Sequence, residues 1–128
     1  MGEFRNRHTR GMNFDDVRAM ALAWPGVEDS RSYGTPSLKV KGKFLTRIRE
    51  DGDTLVVLEV PPEERELLIE SDPAVFYVTD HYRDWPTVLV RLSAASPDIV
   101  ESLLMRRWQA VAPKKLLREL ESRAGLQP

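Results

Sequence analysis

The residues best placed to do chemistry near neutral pH are the two histidines, His8 and His81. His8 sits in a polar opening stretch, and His81 follows Asp80 in a segment rich in turn formers. A zinc site gathers three or four ligands, and neither histidine has a partner at ligand spacing. Cysteine is absent, which removes thiolate ligands, disulfides and cysteine nucleophiles together. Ser30, Ser32 and Ser37, with His81 and Asp84 farther along, could supply a nucleophile, a base and an orienting carboxylate. No Gly-x-Ser-x-Gly elbow frames any of them, and serines in such segments ordinarily bond their own backbone. Carboxylates come in close sets at Asp15-Asp16, Glu50-Asp51-Asp53 and Glu63-Glu64. Each set falls at an expected helix start or hairpin tip, where the helix dipole and turn chemistry account for it. Val40-Lys41-Gly42-Lys43 is too short to cradle a phosphate as a Walker loop does. These residues predict a non-enzymatic domain with no metal and no cofactor.

Two constellations suggest binding. The first is basic. Lys39 and Lys41 share one face of an expected strand, Lys43 sits at the turn after it, and Arg47 and Arg49 share a face of the next strand. Lys114 and Lys115 add charge near the C-terminal end, with Arg106, Arg107 and Arg118 close by in sequence. Such a set is either a phosphate-binding face or the solvated side of a one-sided sheet. The second constellation is aromatic. Tyr82 and Trp85 flank Arg83 just after His81, and Tyr33 lies in Ser32-Tyr33-Gly34-Thr35-Pro36. Aromatics interleaved with arginine in loops can stack on bases or on another planar ligand. Trp24 and Trp108 fall on apolar helical stripes and are assigned to the core.

The elements that must position these residues follow from periodicity. Asn13 is a good N-cap for a helix over residues 14–23, with Phe14, Val17, Met20 and Ala21 on one stripe and Pro25-Gly26 ending it. Residues 27–36 read as a connection. Alternation at Leu38 and Val40 predicts a first strand, residues 44–49 a second, and residues 54–60 a third. Asp51-Gly52 between apolar runs is a strong hairpin signal. Pro61-Pro62-Glu63-Glu64 opens a second helix whose apolar face is supplied by Leu67, Leu68 and Ile69. Residues 75–78 and 87–92 are the fourth and fifth strands, joined by a loop over 79–86. A third helix starts at Ser96-Pro97-Asp98 and runs to Val111, and a fourth covers residues 114–123. The order α-β-β-β-α-β-β-α-α has strands in blocks, which predicts an α+β two-layer domain with an antiparallel five-stranded sheet.

The 128 residues suit one domain, placed at residues 12–123, between a disordered tail at 1–11 and a short tail at 124–128. No apolar run approaches a membrane span, no secretory signal is visible, and a cytoplasmic location is expected. Nineteen basic against 20 acidic residues give a formal net charge of −1, so a nucleic-acid role requires the positive charges to cluster.

Taken in order, several stretches resemble the YjbR/MmcQ family of small bacterial proteins. They are Met-Ala-Leu-Ala-Trp-Pro-Gly-Val from Met20, the Tyr33-Gly34-Thr35-Pro36 loop, Gly42-Lys43-Phe44 and Val-Pro-Pro-Glu-Glu-Arg from Val60. The residues from Asp72 to Tyr77, Trp85 with Val88-Leu89-Val90, and Trp-Gln-Ala-Val-Ala-Pro-Lys-Lys-Leu from Trp108 complete the set. The resemblance implies a two-layer domain with an antiparallel sheet and a DNA-binding role through a double wing of hairpins. The wings would be the hairpins around Gly42 and around Asp51-Gly52; the second tip carries three acids, which repel phosphate. Three binding readings follow. In the first, Lys39, Lys41, Lys43, Arg47, Arg49, Lys114 and Lys115 contact DNA phosphates. In the second, the free sheet face takes a protein partner in a chaperone-like or adaptor role, which an exposed patch including Leu45 and Tyr82 would favour. In the third, a small molecule binds between the Tyr33 and Trp85 loops, with His81 or Arg83 fixing a polar group. A monomer or weak dimer with no membrane partner is expected.

Overall fold

A computed structural model describes residues 9–123. The expected helix after Asn13 is α1, Phe14–Ala21. Asn13 caps it through a reciprocal box: its side chain accepts from the Asp16 amide, and the Asp16 carboxylate accepts from the Asn13 amide. The strands are β1 (Val27–Ser32), β2 (Thr35–Val40), β3 (Lys43–Ile48), β4 (Thr54–Leu58), β5 (Phe76–Tyr77) and β6 (Thr87–Arg91). The remaining helices are α2 (Pro62–Ser71), α3 (Pro97–Val111) and α4 (Lys114–Arg123). The strands form an antiparallel sheet in the order β1-β2-β3-β4-β6-β5, so the α+β class holds with six strands rather than five.

The added strand is β1, which the sequence presents as a polar connection. Its backbone pairs along its whole length with β2, from Val27 opposite Val40 to Ser32 opposite Thr35. The link between them is two residues, Tyr33 and Gly34, with φ of 55° and 79°. Lys41 and Gly42 repeat this between β2 and β3, with φ of 49° and 84°. Two consecutive positive φ values match the right-handed twist of the flanking strands, which is why these hairpins close so tightly.

The sheet is one-sided. Leu38, Val40, Leu45, Ile48, Leu55, Val57, Val88 and Val90 join the core under the helices. Val17, Trp24, Val100, Leu104, Trp108 and Leu116 supply the helical half of that core. Trp108 Nε1 donates to the Pro25 carbonyl over 3.0 Å, satisfying the polar atom of a fully buried ring. The alternation expected of a half-buried strand is broken once. Leu38 and Lys39 pair with Thr46 and Phe44, so β3 carries one extra residue, Leu45. The bulge shifts the phase of β3. Leu45 and Thr46 both turn to the helix side, where Thr46 Oγ1 donates to the Val56 carbonyl. Phe44 and Arg47, three residues apart, come to share the open face.

In α2 the buried position belongs to Arg65, while Leu67 is 67% exposed. Helical spacing explains the difference: Arg65, Leu68 and Ile69 lie on one face, and Leu67 lies off it. The N-terminal tail is held where it is described. The Gly11 amide donates to the Ala95 carbonyl over 2.8 Å, and Arg10 pairs with Asp72 at 2.6 Å. The expected tails otherwise fall at residues 1–8 and 124–128, outside the described residues, as does His8. Among the described residues no helix is long and apolar enough to cross a membrane.

Candidate functional site

The open face of the sheet carries a cavity of about 710 Å³. Its floor is Phe44, Val56 and Leu58. Its walls come from both aromatic loops: Tyr33 with Ser32 at the β1–β2 turn, and His81 with Tyr82 from a short 3-10 turn at Asp80–Tyr82. Lys39 and Arg47 bring positive charge into it. No aspartate or glutamate lines it.

Arg47 ties the two walls together. Its guanidinium carbon lies 5.1 Å from the centroid of the Tyr33 ring, and Nη2 donates to the Tyr82 hydroxyl over 3.4 Å. Nη1 donates to Thr35 Oγ1 over 3.1 Å and to the Ile48 carbonyl over 3.4 Å. The nearest carboxylate, Glu50, is 3.8 Å away and itself exposed. A guanidinium has five donors, and a side chain only 7% exposed usually finds a carboxylate to match them. Arg49 approaches the same wall, its guanidinium 5.8 Å from the Tyr82 centroid, with Nε buried and unpartnered. His81 meets Tyr82 edge to face at 4.7 Å.

The wall that carries Tyr82 is fixed from beneath by Arg65, a residue whose charge gave no sign of this role. It is 5% exposed and donates to four backbone carbonyls: Arg83 at 2.8 Å, Trp85 and Thr87 at 2.9 Å, and Tyr82 at 3.4 Å. A loop running over a sheet has few partners for its own carbonyls. Here one forked cation from α2 donates to four of them, beside the Trp85 and Thr87 amides that reach the Tyr82 and Trp85 carbonyls. The available signal was the α2 stripe itself, in which Arg65 stands one turn before Leu68 and Ile69.

The basic residues divide between two sides. Lys39, Arg47 and Arg49 belong to the open face. Lys41 is in the turn, and its aliphatic stem lies beside Gly26 near Leu116 of α4. Lys43 pairs with core-facing Val40 and is exposed at the rim. Lys114 and Lys115 open α4, exposed, on the helix side. Arg106 and Arg107 are committed elsewhere. Arg106 holds Glu64 in a two-bond pair at 2.6 and 2.8 Å, and Arg107 binds Glu59 at 2.7 Å and the Phe44 carbonyl at 2.9 Å. The Arg106 pair holds the Glu64 carboxyl below the usual carboxylate range, against the opposing effect of partial burial.

The two hairpin tips expected as wings lie at opposite ends of β3. Two of the three acids of the second tip, Asp51 and Asp53, hydrogen-bond within the protein, while Glu50 stays exposed. Asp51 accepts from the amides of Asp53 and Thr54 and from Thr54 Oγ1, and Asp53 accepts from the amide and hydroxyl of Ser93. Burial raises the Asp51 carboxyl, but those three hydrogen bonds outweigh it and leave the group lowered. Arg83 pairs with Asp80 at 3.1 Å on the surface, and Trp85 is 63% exposed; neither lines the cavity. Leu45 is fully buried, so the exposed patch with Tyr82 that would favour a protein partner does not form. Among the described residues no group of three or more potential ligands could hold a metal ion.

Fold and cleft together define a two-layer α+β domain whose exposed sheet face bears an aromatic, cationic hollow. A model of the YjbR family matches residues 22–110, and the chain belongs to that family. It is 34% identical over 97 residues to the uncharacterized protein Rv2570 of Mycobacterium tuberculosis and to Mb2600 of Mycobacterium bovis, spanning 73% of this chain and 75% of each relative. The crystal structure of Deinococcus radiodurans protein DR2400, a DUF419 domain, superposes with a TM-score of 0.67 at 23% identity, over 88% of this chain and 91% of that one. At that identity the likeness is one of fold.

Proposed function

We propose that this protein is a non-enzymatic binding domain of the cytoplasm and that its ligand site is the cleft between the Tyr33 turn and the loop over residues 79–86. The observation that carries the reading is Arg47, which bridges both walls beneath a hollow of about 710 Å³. Small-molecule sites are concave, apolar at the floor, and fitted with a few convergent polar groups. This cleft has an apolar floor of Phe44, Val56 and Leu58 and polar groups at Lys39, Arg47, His81 and Tyr82. Small soluble fragments titrated into isotope-labelled protein should shift the amide resonances of Phe44, Val56, Leu58 and Tyr82. Shifts confined to other surfaces, or none at all, would remove the cleft from consideration.

DNA binding is the second reading. It is favoured by Lys39, Lys41 and Lys43 around one hairpin whose Gly42 also borders the cleft. Binding to labelled double- or single-stranded DNA, followed by fluorescence anisotropy, should then weaken steeply with added salt. The K41Q/K43Q double variant should lose affinity and flatten the salt slope. Absence of binding at low salt would reject this reading.

A further inference from the structure

Resting on the cleft reading above, we propose that the occupant is an aromatic ring joined to an anionic group, with the ring against Tyr33 or Tyr82 and the anion at Lys39 and Arg47.

The aromatic half follows from the walls. Tyr33 is 83% exposed, although its turn holds it beside a buried guanidinium. Arg47 and Arg49 approach the Tyr33 and Tyr82 rings to 5.1 and 5.8 Å. The Tyr33 ring is therefore a preset stacking surface at the mouth of an apolar floor. Stacking on tyrosine tolerates many ring types because every planar ring offers a π face.

The anionic half follows from charge. Lys39 and Arg47 enter the cleft and no acid lines it. Two of the hydrogen bonds that Arg47 makes within the protein lie at 3.4 Å, where such bonds are weak. A carboxylate or phosphate oxygen would replace long contacts with short, charge-assisted ones. The cavity is far larger than an inorganic anion needs and lies within the range of sites for drug-sized ligands. Mononucleotides and aromatic carboxylates share this chemistry.

The test is calorimetric titration of the full chain with adenosine monophosphate and indole acetate, set against adenosine, tryptophol and inorganic phosphate. At least one aromatic anion should bind roughly tenfold or more tighter than both its neutral counterpart and phosphate. Whether the nucleotide or the carboxylate is the stronger tells the two sources apart. Arg47→Gln should weaken the preference for charge severalfold, with Lys39 and Arg31 remaining at the cleft. Because that change touches a buried group and can unfold the domain, Lys39→Gln at the cleft margin serves as the second variant. It should weaken the anion severalfold and the neutral counterpart by clearly less. Equal affinities for charged and neutral partners, with fragments still shifting the cleft resonances, would overturn this inference and leave the cleft reading standing. If no fragment shifts those resonances, both fall.

Discussion

Arg65 Nη1 donates to the carbonyl oxygen of Trp85 over 2.9 Å, joining the buried face of α2 to the outer loop of the cleft. The same guanidinium holds three other carbonyls; those of Tyr82 and Trp85 also accept from the amides of Trp85 and Thr87 over 2.9 and 2.8 Å, but the Arg83 carbonyl loses its 2.8 Å donor when the guanidinium is removed. Arg65→Met should therefore destabilise the domain by about 2–4 kcal/mol in urea unfolding. Arg65→Lys should recover only part of this, since an ammonium cannot reproduce the fork. Hydrogen exchange should rise first at residues 82–87. Uniform acceleration throughout the sheet would show that Arg65 supports the whole fold rather than the loop.

Two glycines with similar backbone angles should respond differently to alanine. A Cβ at Gly26, φ +75°, would stand 2.5 Å from Leu116 Cδ1, whereas one at Gly42, φ +84°, would meet nothing within 4 Å. Both substitutions incur the cost of a left-handed conformation, about 1–2 kcal/mol. Gly26→Ala should add about 1 kcal/mol or more by displacing Leu116 from the core. Equal losses of thermal stability in the two variants would contradict the predicted contact.

Acid should weaken the protein through Glu64 and Asp51. Both carboxyls are lowered in the folded state, Glu64 by the Arg106 hydrogen bonds and Asp51 by hydrogen bonds that outweigh its burial. A lowered carboxyl stabilises the fold above its unfolded value, about 4, and that contribution is lost as pH falls through the folded value. Unfolding free energy should thus decline below pH of about 4. Glu64→Gln should soften the decline by about 0.5 kcal/mol or less, because the pair is partly exposed and screened. An unchanged pH profile in that variant would remove Glu64 as a contributor.

Asn13→Ala should cost about 1 kcal/mol by dissolving the cap of α1. Asn13→Ser should retain most of the stability, since a hydroxyl can accept from the same amide. Thermal melts of the two variants side by side test this.

Much of the architecture was legible because it rests on patterns with local causes. Asn13, Pro97 and the apolar stripe through Trp108 announce their helices by capping and periodicity. The strand β1 was not legible, because Val-Glu-Asp-Ser-Arg-Ser at a sheet edge has a single apolar side chain, the half-buried Val27, and shows no apolar alternation. It forms because Tyr33 and Gly34 close a two-residue turn onto β2, a relationship between segments. At the cleft, sequence drew attention to Tyr33, His81 and Tyr82 but could not tell that two loops 46 or more residues apart flank one hollow. Arg47 read as a phosphate contact on an open strand face; in the fold it is buried and reaches both walls. Arg65 escaped notice because a charged residue in a helix is expected at the surface.

The bulge at Leu45 has a consequence for how such a face can change over time. Alternating positions along β2, β3 and β4 belong either to the helix-side core or to the cleft, so Lys39, Phe44 and Leu58 can change in chemistry while Leu38, Leu45 and Val57 keep the core. Phase is the exception. One residue more or fewer in β3 would exchange Phe44 and Leu45 between the two sides, filling the hollow or emptying the core in one step. The chemistry of the open face is thus free to change gradually, while the division between that face and the core depends on a single inserted residue.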